Sequence, residues 1–261
     1  MHDQTVRDRR LRCEPCLNIR DVGGYQTSDG ATIRWRTLLR GDNLCNLSAD
    51  GAAVLLEHGL RTVIDLRYIA ELEEAVHPFG PLGAHTSVVD YRHLPLRHPD
   101  DVELDAAYRA CTSLAEIYQV YLDWGGARFA AIMRAVANAP EGAVLVHCHV
   151  GKDRTGIVVA LLLVLAGVPV ETIVADYALS AGYLQPLFEA SKQADSNVDD
   201  ALWHSQPETM QSWLERLETV HGGVERYLLT AGLTPEEIER LRSRLREEPV
   251  TVITQDGSAA R

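Results

Sequence analysis

Residues 143–156 read AVLVHCHVGKDRTG, and residues 157–166 continue as IVVALLLVLA. Ala143 to Val146 form a short apolar run of the kind found in a buried strand, and Gly156 to Ala166 are apolar on every side, as in a buried helix. His147 to Arg154 therefore fill a loop between a strand and a helix N-terminus. Helical and strand-like segments alternate on the N-terminal side of this unit. That pattern predicts an α/β architecture: a mostly parallel central sheet with helices on both faces, and a ligand site outside the carboxyl ends of its strands.

Working outward, residues 31–40 (ATIRWRTLLR) predict one or two short strands, and residues 61–67 (RTVIDLR) a buried one. A helix lies between them, with Ser48 as N-cap and Gly59 just past its end. Residues 86–89 and 93–96 predict further extended pieces, and the acidic stretch 98–105 (HPDDVELD) reads as a loop. Residues 114–124 and 129–137 carry apolar side chains at helical spacing, separated by Gly125 and Gly126. From Val170 the chain reads as helices over 170–181, 208–220, 224–231 and 235–246, with no strand before residue 250. The expected division is an N-terminal segment 1–17 without firm order, one domain over 18–248 and a tail 249–261. Residues 191–206 read as a lid or a surface loop.

Composition narrows the functional classes. Of the 261 residues 46% are apolar, enough for a sizeable core, while 37 acidic against 25 basic side chains give a net charge of −12. Such a charge repels nucleic acid and anionic membrane, so neither is expected as a partner. The apolar stretch 156–170 is too short to span a bilayer, and no stable membrane insertion is expected. Five cysteines, an odd number, predict reduced thiols and a cytoplasmic location. The N-terminus has no apolar run after its charges, so it does not read as a signal peptide, although export by another route stays open. Nothing in the sequence speaks to oligomeric state.

The chemistry is concentrated in the loop. Cys148, five residues and Arg154, set between strand and helix, make a phosphate cradle with a nucleophile at its base. Inward backbone N–H groups and the helix dipole favour an anion, and the Arg154 guanidinium can grip two phosphate oxygens as a fork. The same donors favour a Cys148 thiolate, a strong nucleophile at neutral pH. Gly151 and Gly156 suit the backbone angles and close approach such a loop needs. The Thr155 hydroxyl is placed to donate to the Cys148 sulfur. The leading glycine of a GxxxxGK[ST] loop is missing and Asp153 stands where its Ser or Thr belongs, which disfavours a nucleotide-binding loop.

Residues 147–156 (HCHVGKDRTG) resemble the signature of the protein tyrosine phosphatase superfamily. The GKDRTG ending is similar to that of bacterial tyrosine-protein phosphatases, some of which also accept phosphoserine, phosphothreonine or phosphoinositides. Residues 18–25 (NIRDVGGY), 39–42 (LRGD) and 64–67 (IDLR) resemble that family's N-terminal signatures, and residues 222–233 its C-terminal helix pattern, so the likeness runs from Asn18 to Leu245. The resemblance implies a protein tyrosine phosphatase-like fold with a helical C-terminal portion, a phosphorylated protein or a phosphoinositide as substrate, and a phosphocysteine intermediate formed without metal or other cofactor. Carried over by position, the catalytic residues are Cys148, Arg154 and Asp153. Substrate is bound by His149, Val150, Gly151, Lys152, Asp153 and Arg154, with support from His147, Thr155, Asp65 and Arg67. Asp153 is the expected proton donor to the leaving group, and Asp100 or Asp101 in the acidic stretch is its rival. Lys152 is expected at the rim, meeting a second phosphate or an acidic side chain. His147 reads as a residue that orients the loop. The CxxC of Cys13 and Cys16 reads as a chance spacing, and Asp65 with Arg67 as either a structural pair or part of the catalytic site.

Overall fold

The computed structural model of the protein describes residues 8–72, 76–194 and 205–248. Five strands form the central sheet: β1 (Arg20–Asp21), β3 (Leu38–Gly41), β4 (Leu60–Asp65), β5 (Asp90–His93) and β6 (Ala143–His147). Their spatial order is β1-β3-β6-β4-β5, all parallel except the antiparallel edge strand β1. β6 is central, and its residues point alternately to two cores: Val144 and Val146 into one, Ala143 and Leu145 into the other. Burial on both faces accounts for the unbroken apolar run that the sequence shows here.

One face is covered by α1 (Ala49–Glu57) and the N-terminal segment, the other by α3 (Leu114–Trp124), α4 (Gly126–Ala137) and α5 (Asp153–Leu165). α2 (Val102–Ala110) precedes α3. After α5 come α6 (Val170–Ala194), α7 (Pro207–Thr219), α8 (Val224–Thr230) and α9 (Pro235–Leu245). α5 is the hub, with ten of its thirteen residues buried, from Thr155 to Leu165. Ser48 caps α1 through Gly51 N–H, and Gly59 follows with φ +100°, a left-handed angle at the helix end that suits glycine. Thr234 and Glu237 form a reciprocal capping box at α9.

The parallel register decides where function sits. Gly41 of β3 and Asp65 of β4 both pair with His147 of β6. Three motifs distant in sequence thus end side by side at the carboxyl edge of the sheet, with Cys148 next in the chain.

Several expectations change. The acidic stretch 98–105 is not all loop, since α2 begins at Val102. Only Leu104 of α2 is buried, so local periodicity is faint and tertiary packing sustains the helix, in part through Tyr108 against Tyr121 with ring centroids 5.8 Å apart. A strand does occur before residue 250: β7 (Arg246–Glu247) pairs with β2 (Thr32–Ile33). A two-residue strand whose partner lies at the other end of the chain leaves no local signal. The fifth strand lies at 90–93, between the two extended pieces read from the sequence. α6 runs on through Pro186 to Ala194, so residues 191–194 of the ambiguous stretch 191–206 are helical, and 195–204 lie outside the described residues. Residues 8–17 pack onto the domain: Leu11 N–H donates to Ile19 C=O, and Cys13 and Cys16 are buried. Among the described residues no helix is long and apolar enough to cross a membrane.

Candidate active site

Cys148 follows β6 directly and is buried at the base of the loop, which ends where α5 begins at Asp153. Successive loop carbonyls are held from outside. Asn43 N–H donates to His149 C=O (2.9 Å), Asn18 Nδ2 to Val150 C=O (3.0 Å), and Arg40 Nη2 to Gly151 C=O (2.8 Å). In a trans peptide the N–H points opposite the C=O, so the amides of residues 150–152 turn inward, toward the space an anion would fill. Gly151 has φ +68°, and a Cβ there would lie 2.4 Å from Gly41 C=O. No other residue fits without moving β3.

The residues that hold the loop are themselves anchored. Asp42 accepts from Leu17 and Asn18 N–H. Arg20 and Arg40 share the buried carboxylate of Asp176 on α6, at 2.9 and 2.6 Å, and Tyr25 Oη adds a third bond. Burial alone would raise the carboxyl pKa of Asp176, but the two guanidinium groups outweigh it and hold the group well below the usual range. Arg20 is thus a buttress, as is Asp21, which accepts from Gly23 and Arg36 N–H.

Asp65 and Arg67 form a second buttress. The Asp65 carboxylate receives Arg67 N, Nε and Nη2 and Tyr91 Oη. Arg67 Nη1 in turn reaches Asn43 Oδ1, Cys45 Sγ and Glu71 C=O. The pair ties together the two loops that flank the cradle.

His147 is fully buried, and its protonation follows from its neighbours. Phe79 N–H donates to His77 Nδ1, so neutral His77 carries its proton on Nε2, facing His147 Nε2 at 3.1 Å. His147 must then carry its own proton on Nδ1, facing Cys148 C=O at 3.2 Å. Burial pushes both imidazoles toward the neutral form, His77 to about 3. Asp65, His77 and His147 also have the proximity of a metal-ligand set. Their donors are already committed: His77 would have to move a proton onto the nitrogen that accepts from Phe79 N–H, and Asp65 already carries the Arg67 guanidinium. The three residues fit a hydrogen-bond relay better than a cation.

Arg154 faces an open pocket of about 340 Å³, lined also by Asp153, Glu71, Tyr121, Tyr108, Leu114 and Ile117. The Glu71 carboxylate grips both Arg154 terminal nitrogens, at 2.5 and 2.8 Å, and is held by Tyr68 N–H. Burial opposes ionisation of Glu71, yet the bonds and charge of Arg154 lower its pKa. Asp153 Oδ1 accepts from Tyr118 Oη at 2.8 Å and lies 3.3 Å from Lys152 Nζ. The rival carboxylates are elsewhere. Asp101 is paired with Arg128 at 2.6 Å and lines a different cavity with Trp124, while the Asp100 side chain is 87% exposed.

Two expectations need correction. Lys152 is not at the rim: it is 2% exposed, turned in against the first turn of α5. The Thr155 hydroxyl is buried and makes no hydrogen bond among the described residues, so the expected bond to the Cys148 sulfur is not formed. Cys13 and Cys16 are buried thiols; burial raises both, Cys13 to about 11, so neither has the character of a reactive pair. Glu71, His77, Tyr118 and Asp176 were missed in the sequence, where none sits in a motif with recognisable chemistry. A carboxylate four residues past Arg67 was the only hint of Glu71.

The chain matches the tyrosine phosphatase family over residues 11–247. It is 33% identical over 217 residues to the tyrosine-protein phosphatase of Nostoc commune, covering 77% of this chain and 70% of that protein. It is 25% identical over 266 residues to the triple specificity protein phosphatase PtpB of Mycobacterium tuberculosis, covering 86% and 95%. Among solved structures, the crystal structure of P. aeruginosa TpbA aligns with a TM-score of 0.41 at 17% identity, over 78% of this chain and 91% of that one.

Proposed function

Because this chain belongs to the tyrosine phosphatase family and is a cysteine-dependent phosphatase, we propose that Cys148, Arg154 and Asp153 carry the reaction within one domain spanning residues 8–248. The Cys148 thiolate attacks phosphorus, the S–P bond forms as the P–O bond breaks, and Asp153 gives its proton to the leaving oxygen. Water then attacks the phosphocysteine, Asp153 takes the water's proton, and the S–P bond breaks to release phosphate. Arg154 and the inward amides bind the equatorial oxygens throughout, and their grip tightens as charge builds on them.

The observation that carries this reading is the outward clamping of three consecutive loop carbonyls by Asn43, Asn18 and Arg40. It aims donors at a single point above a buried cysteine. Asp153 is preferred as acid because it shares the pocket with Arg154, whereas Asp101 is committed to Arg128. Phosphotyrosine proteins are the preferred substrate. The pocket's walls of Tyr108, Tyr121, Leu114 and Ile117 suit an aryl ring, and the name of PtpB adds the prospect of further specificities. The five free thiols support a reducing, cytoplasmic setting.

The direct test is p-nitrophenyl phosphate hydrolysis by the wild type and Cys148→Ser, each with and without EDTA. Turnover that survives EDTA and is abolished by the serine change is expected; turnover that survives the serine change would refute Cys148 as nucleophile.

A further inference from the structure

The active-site pocket holds a second guanidinium. Arg97, from the segment between β5 and α2, lines the same cavity as Arg154. Its guanidinium lies against two aromatic rings, 4.0 Å from the Tyr108 centroid and 4.5 Å from that of Tyr68. Tyr68 and Tyr108 also line the pocket. These cation–π contacts hold the guanidinium in place without using its N–H groups.

Those donors are not spent elsewhere. Among the described residues Arg97 makes no hydrogen bond, and its single ion pair is with Asp105 at 3.4 Å. Asp105 is shared, because its other oxygen accepts from Arg109 at 2.7 Å. One carboxylate between two guanidinium groups leaves a net positive charge. Arg154, by contrast, is matched by Glu71. In a chain of net charge −12, a largely buried cation with open donors beside the catalytic arginine is a local exception that favours anions.

We propose that Arg97 is an anion subsite that recognises a carboxylate close to the phosphorylated residue, so that the preferred substrate is an acidic phosphotyrosine peptide. The inference rests on the phosphatase reading. The apolar and aromatic walls that share the cavity with the two arginines suit a phenyl ring, and a planar fork in the same cavity suits a carboxylate held by two parallel hydrogen bonds. A polyhydroxylated inositol ring would place hydroxyls against Leu114 and Ile117, which cannot hydrogen-bond them, so an inositol lipid is the poorer fit.

The test compares two phosphotyrosine peptides that differ only in Glu against Gln beside the phosphotyrosine, with the wild type, Arg97→Lys and Arg97→Gln. The readout is the ratio of kcat/KM values for the two peptides within each enzyme, which cancels differences in the active fraction. The wild type is expected to prefer the Glu peptide by about tenfold, Arg97→Lys to keep part of that preference, and Arg97→Gln to lose it. The wild-type ratio should also fall as salt rises. Equal handling of the two peptides by the wild type, or a preference that survives Arg97→Gln, would overturn the subsite. A bisphosphorylated inositol phosphate preferred over its monophosphate only when Arg97 is present, with no discrimination between the peptides, would overturn the peptide assignment. Failure of the wild type to hydrolyse p-nitrophenyl phosphate would instead sink the phosphatase reading, so the two failures are distinct.

Discussion

Replacing Asp176 by asparagine should destabilise the fold by about 3–5 kcal/mol, although the residue is remote in sequence from the catalytic loop. Its carboxylate is buried against Arg20, Arg40 and Tyr25, and both arginines are almost wholly buried. The change leaves two guanidinium groups in the interior without counter-charge. For a domain of this size each kcal/mol moves the melting temperature by about 2–4 °C, so the expected fall is about 6–20 °C. The pH dependence has a defined sign. The folded carboxyl pKa of Asp176 is held below its unfolded value of about 3.9, so its stabilisation is complete above that value, begins to fall below it and is lost as pH drops through the folded value. The gap in melting temperature between wild type and variant should therefore narrow between pH 7 and pH 3. Activity should fall as well, because Arg40 also holds Gly151 C=O. Thermal unfolding followed by circular dichroism across that pH range is the assay. A variant that melts within about 2 °C of the wild type at neutral pH, or a gap that does not narrow in acid, would refute the reasoning.

Two further outcomes test the site. His77→Leu removes the donor that fixes the His147 proton on Nδ1, and lets His147 turn that proton toward Asp65 Oδ2, 3.6 Å away, leaving Cys148 C=O unpaired. The expected loss in kcat/KM is about tenfold, with recovery in His77→Gln, which keeps an N–H at that distance; equal loss in both variants would mean that the ring's shape, not its proton, matters. Asp153→Asn should slow alkyl phosphates, whose leaving groups need a proton, by about 10²–10⁴-fold and p-nitrophenyl phosphate far less. The readout is kcat/KM, which reports phosphocysteine formation alone, and a loss of kcat/KM that is uniform across leaving groups would remove Asp153 from the role of acid.

The motif residues 147–156 were legible because their function is local. A phosphate cradle is built from consecutive amides, a nucleophile and an arginine at fixed spacing, so chain order alone carries its geometry. Helices α3 and α5 were legible for a similar reason, since apolar periodicity reports burial directly. α2 was not, having one buried residue, and β7 was not, having a partner some two hundred residues away.

What the sequence by itself determined was the reaction class and the α/β architecture, and it singled out Cys148 and Arg154 as the candidate nucleophile and phosphate clamp. Only the tertiary structure showed which carboxylate shares the pocket with Arg154: the sequence put Asp153 ahead of Asp100 or Asp101, and the fold places Asp153 in that pocket and pairs Asp101 with Arg128. It also showed Lys152 to be buried, and placed Arg97 in the pocket with Arg154, against Tyr68 and Tyr108. And it revealed why NIRDVGGY and LRGD accompany the cradle: Asn18 and Arg20, at the start of antiparallel β1, meet Arg40 and Asp42, at the carboxyl end of β3, and together they hold the loop from behind. Such contacts depend on strand order and register, which set distances between residues far apart in the chain and leave no periodicity to read.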